Sequence, residues 1–167
     1  MMELIYSQRS IPKKQWRYGL RSSAATGCGW IATYNALQLM GYRAKPEDLI
    51  RYYEHQLPLI HGNAGTSFWG PALFFRHFGF PVKVTMRRKD FDAVVEESDT
   101  CILFYRWHQK YRLGAHFVAL HKEGGNVIGY NTYRNSEGPD HYGESLQAFL
   151  DKRKYFGTVL LGIRDKA

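Results

Sequence analysis

A cysteine, a histidine and an asparagine, widely separated in the chain, are the side chains whose types could together carry nucleophilic chemistry. Cys28 stands between Gly27 and Gly29 in GCGWIATYNAL, directly ahead of a run that reads as a helix. A helix start presents unpaired N–H groups and a positive dipole end. Both favour a thiolate and lower a thiol pKa from about 8.5 by one or more units where a cation is near. The flanking glycines leave room for a substrate carbonyl, and the Cys28 N–H would point toward the oxygen that becomes negative.

Such a nucleophile needs a base. Of 7 histidines, His116 in LGAHFVALH falls at the start of a predicted strand, between the small Ala115 and an apolar run. His55, His61, His77, His108, His121 and His141 read as helix-surface or loop positions. Alternation along AHFVALH puts His116, Val118 and Leu120 on one face and Phe117, Ala119 and His121 on the other. The base in turn needs a partner that fixes its tautomer, and Asn131 in NVIGYNTY supplies an amide oxygen on the next strand. A hairpin centred on Gly124-Gly125 brings Asn131 opposite the stretch from Lys122 to Phe117, and so toward His116.

The order Cys28, His116, Asn131 resembles the papain-like cysteine peptidase superfamily. The stretches GCGWIATYNAL, AHFVAL and NVIGYNTY are most similar to its small bacterial branch related to bacteriocin-leader-processing peptidases. The resemblance runs from about Gly27 to Ile163 and implies a nucleophile in Cys28, a general base and then acid in His116, and an orienting residue in Asn131. Asn replaces the Asp common in that branch. The family's oxyanion glutamine, six residues before the cysteine, is here Ser22, so Gln15, Ser22 or Ser23 must donate, or the hole is incomplete. Losing one such donor typically costs about 2.7–4 kcal/mol of transition-state stabilisation.

The elements that would position these residues follow from pattern. Trp30, Ile31, Tyr34, Leu37 and Met40 recur at helical spacing from Cys28, with Gly41 as the stop. Pro46, Glu47 and Asp48 begin a second helix through about His55, and the loop HGNAGTS leads to a third, from about Trp69 to Phe78. Phe68, Trp69, Phe74, Phe75, Phe78 and Phe80 read as core around that third helix. After Phe80 come a strand (PVKVTM), a short helix (KDFDAVVEES), strands at TCILFYRW, AHFVALHK and NVIGYNTY, a helix (ESLQAFLDKR) and a last strand (FGTVLLGI). Helices first and a mainly antiparallel sheet second make an α+β fold, and no repeat or linker divides the 167 residues, so one domain is expected.

Composition narrows the function classes. Hydrophobic residues make up 44% of the chain, enough for a core without disulfide or metal staples. The formal net charge is +8, but the basic residues are scattered in short groups and carry no recognised nucleic-acid motif. Neither a membrane span nor a signal peptide is predicted, which points to a cytoplasmic protein. With 2 cysteines, Cys28 and Cys101, free thiols are expected, and Cys101 in TCILFY reads as core. No cysteine or histidine has the short-spaced partner of a zinc site. The chemistry needs no cofactor, and the substrate is a peptide or other amide. Three alternatives stand beside hydrolysis: a catalytically weak or inactive binding protein of papain-like fold, a thiol acyltransferase, and an anion or nucleic-acid binder.

Overall fold

The computed structural model describes residues 3–55 and 66–166, so His61 and most of the HGNAGTS loop lie outside the described residues. After an extended N-terminal strap with one helical turn at Gln8–Ser10, the elements are β1 (Arg17–Tyr18), β2 (Arg21–Ser22), α1 (Ser23–Thr26), α2 (Cys28–Leu39), α3 (Pro46–His55), α4 (Gly70–His77), β3 (Val82–Thr85), α5 (Phe91–Glu97), β4 (Thr100–Gln109), β5 (Arg112–Glu123), β6 (Asn126–Tyr130), β7 (Asp140–Gly143), α6 (Leu146–Arg153) and β8 (Phe156–Ile163). The fold is α+β, with helices and an antiparallel sheet as the sequence pattern implies.

The main sheet has six strands in the order β3-β8-β4-β5-β6-β7, each pair antiparallel. Alternation divides its apolar side chains between two faces. Ile102, Phe104, Phe117, Ala119, Val159 and Leu161 pack with α2, α3 and α4. Cys101, Leu103, Tyr105, Val118, Leu120 and Leu160 pack with α5 and α6 on the other side. The result is helix, sheet, helix in three layers, and the β5 alternation read from sequence holds.

α2 differs from the one-faced helix that its spacing suggests. Every residue from Gly29 to Leu37 is buried, because the sheet, α3, α4 and the N-terminal strap surround it. Its polar residues are correspondingly paired. Thr33 Oγ1 meets Gly29 O at 3.1 Å and Tyr53 Oη at 2.6 Å. Asn35 takes both backbone groups of Ile5, each at 2.9 Å, which lays the strap along the helix.

Three segments depart from their predicted form. The β4/β5 hairpin extends to Gln109↔Arg112, beyond the apolar runs, since its outer end is polar and exposed. His108, His121 and His141 therefore sit on strands and not in loops or on helices. β6 stops at Tyr130, where Asn131 turns into the left-handed region at φ 65°. Of the aromatic group near α4, Phe74, Phe75 and Phe80 are core, while Phe68, Trp69 and Phe78 are between 36% and 44% exposed.

Candidate active site at the free edge of β5

The glycine turn Gly124-Gly125, with φ 56° and 82°, closes the β5/β6 hairpin with Glu123 opposite Asn126. A two-residue loop with both φ positive matches strand twist, which is why glycine occupies both places. Pairing continues to Ala119↔Tyr130 and ends there. On its other side β5 is paired with β4 from Arg112 to Leu120. The β5 backbone around His116 and Phe117 thus has one free edge, and the first turn of α2 comes to it.

Cys28 opens α2 as predicted, and it is a free, half-buried thiol packed against the α2-side core. The backbone N–H groups of Phe117, Gly29 and Cys28 itself lie against the sulfur and favour its anion. Burial acts the other way and more strongly, so the Cys28 thiol is held above its usual range. That overturns the expectation that the helix start, with a cation near, lowers it. A charge at Cys28 would add to the upward shifts that burial gives Tyr18 and Tyr105.

His116 is opposite Tyr105 in the β4/β5 register and presents its ring edge-on at 5.9 Å between centroids. Its Nε2 is 2.6 Å from an oxygen of Asn131. That oxygen is the main-chain carbonyl, whereas the sequence suggested the side-chain amide. The left-handed turn at Asn131 swings the carbonyl toward β5 and sends the side chain to the N-terminal strap. A carbonyl can only accept, so the neutral imidazole carries its proton on Nε2 and leaves the Nδ1 lone pair free. Burial pushes the His116 pKa below its ordinary value, partly offset by this hydrogen bond. With one pKa raised and the other lowered, the Cys28 thiol and the His116 imidazole each rest neutral.

The three oxyanion candidates fare differently. Ser23 is fully buried and committed, donating to Trp16 O and accepting from Trp30 Nε1 at 3.1 Å. Ser22 ends β2 half-buried and makes no capping bond with its side chain. Gln15 is exposed and lines a cleft between the strap, Tyr34 and Glu137, which contains neither Cys28 nor His116. None of the three is brought to Cys28 as a side-chain donor, leaving the backbone N–H groups at the helix start.

Sequence reasoning missed two neighbours. Gln8 in the strap bonds both Asn131 and Ala24. Its polar, unpatterned surroundings offer no signal at the level of sequence. Thr26, two residues before Cys28, keeps a buried hydroxyl without a partner among the described residues. Among those residues no group of three or more His, Cys, Asp or Glu could hold a metal ion. Cys101 is buried on the α5/α6 side, its thiol pushed up to about 12 by burial. No helix among the described residues is long and apolar enough to cross a membrane.

The sequence matches no protein-family model and no curated protein.

Proposed function

We propose that the chain is a thiol hydrolase of peptide or related amide bonds, with the papain-like arrangement its motifs resemble. The observation that carries this reading is one short chain of contacts. The Asn131 carbonyl holds His116 Nε2, and the next residue, Phe117, turns its N–H to the Cys28 sulfur.

Because thiol and imidazole rest uncharged, the proton moves when attack begins. His116 Nδ1 takes the Cys28 proton as the sulfur forms its bond to the substrate carbonyl carbon. The carbonyl π electrons pass to oxygen, and the N–H groups at the start of α2 stabilise that charge. Collapse expels the amine, which takes the proton from the imidazolium, leaving a thioester on Cys28. Water, deprotonated by the same imidazole, then releases the acid and restores the thiol. An acceptor amine in place of water would make the same site a transferase.

The commitment of Ser23 elsewhere favours a second reading, a binding protein of the same fold without turnover.

Hydrolysis of a fluorogenic peptide library separates the two. The hydrolase reading expects cleavage that Cys28→Ala abolishes. Turnover that survives Cys28→Ala, or none with any member, contradicts it.

A further inference from the structure

The turn that delivers a carbonyl to His116 is held from outside the hairpin. Asn131 is 2% exposed and has φ 65°, a region that Asn enters more readily than most side chains but that still needs support from its surroundings. The support is an amide clasp with Gln8. The Gln8 backbone N–H donates to Asn131 Oδ1 at 2.7 Å, and Asn131 Nδ2 donates to Gln8 Oε1 at 3.3 Å. Gln8 Nε2 in turn donates to the Ala24 carbonyl at 3.1 Å. The orientation of both amides is determined by this chain, since a backbone N–H only donates and a backbone carbonyl only accepts.

Three segments meet in the clasp: the N-terminal strap, the turn that leads into Cys28, and the loop that follows β6. The strap is also anchored just ahead of Gln8. Ile5 is tied to Asn35 of α2, and Ser7 Oγ donates to Arg134 O at 2.7 Å. Gln8 so fixed acts on the site through two arms, its backbone N–H and its side-chain amide, which together set where Asn131 points its carbonyl.

We propose that Gln8 is a positioning residue. Acting through the Asn131 side chain, it keeps the Asn131 carbonyl on His116 Nε2, fixes the imidazole tautomer and so leaves Nδ1 as the lone pair that faces the chemistry. The tautomer part stands on geometry alone, and its consequence for turnover rests on the hydrolase reading above.

Long-range proton–nitrogen NMR of the His116 ring in the full chain reads the tautomer without any substrate. Wild type is expected to show one neutral tautomer, protonated at Nε2. Gln8→Ala should give a mixture of the two, with kcat down about 10- to 100-fold and KM changed little. Asn131→Gly keeps the left-handed backbone but removes both arms of the clasp, including the backbone one that Gln8→Ala leaves, so its effect should be at least as large, and the double variant should be no worse than Asn131→Gly alone. Gln8→Met, of similar length and without the amide, serves if Gln8→Ala fails to fold. An unchanged tautomer in a folded Gln8 variant overturns the proposal, as do multiplicative losses in the double variant. A tautomer shift in a protein that hydrolyses nothing sustains the clasp and removes the hydrolase reading.

Discussion

His116 Nε2 meets the main-chain carbonyl of Asn131 at 2.6 Å, while the Asn131 side chain faces Gln8. The orienting group is therefore peptide backbone, which stays neutral at every pH and constrains the imidazole through geometry. A side-chain carboxylate in that place would raise the imidazole pKa by its charge; here burial is the larger influence and lowers it.

The first prediction follows from that direction. A general base must be unprotonated, so activity should be lost on acidification only as pH falls through a value below the ordinary histidine pKa of about 6.5. The pH profile of kcat/KM gives the position of this limb. A limb above pH 7 would contradict the burial argument.

Alkylation tests the sulfur. With its pKa raised by burial, Cys28 should react with iodoacetamide at a rate that keeps climbing with pH beyond the point, about 8.5, where an ordinary thiol levels off. Peptide mass mapping should find the adduct on Cys28 and not on Cys101. A fast plateau already at pH 6 would instead mean a preformed thiolate–imidazolium pair.

The same two groups bear on stability. An imidazole with a lowered folded pKa binds fewer protons in the native state than in the unfolded chain, so stability falls as pH drops below about 6.5. Thiols with raised folded pKa values, Cys28 and Cys101, do the reverse: unfolded thiols ionise first, and stability falls above about pH 8.5. Urea midpoints across pH should show both losses, and His116→Gln should reduce the acid one. An acid limb unchanged by His116→Gln would assign that loss to other groups.

Gly29 allows α2 to approach Thr66. An added Cβ would collide with the Thr66 side chain, whose hydroxyl is 3.1 Å from Tyr18 Oη beside the site. Gly29→Ala should lower stability by about 1–3 kcal/mol through overpacking, seen as a reduced Tm. An unchanged Tm would mean that Thr66 yields at no cost.

Much of this architecture was legible in the sequence because it rests on local pattern. The helix from Cys28, the strand alternation around Val118 and Leu120, and the Gly124-Gly125 turn each follow from period or glycine placement within a few residues. What remained hidden depends on tertiary contacts. Asn131 lies in a run that reads as strand to Tyr133, and the left-handed turn that ends β6 there is held by Gln8, 123 residues away. The sign of the Cys28 shift was also beyond sequence, since the helix start was visible but the burial that outweighs it was not. The exposure of Phe68 and Trp69 is of the same kind, because aromatic content at a helix start does not reveal which rings the sheet can cover.

Formation of an acyl-enzyme tests the pairing of Cys28 with His116 most directly. Incubation with a p-nitrophenyl acyl ester at pH 7, followed by intact-mass and peptide-mass measurement over time, should yield a single acyl adduct on Cys28. Its rate of formation should fall about 10²- to 10⁴-fold in His116→Gln. Equal rates in wild type and His116→Gln would show that the imidazole does not serve the sulfur, and would contradict the account.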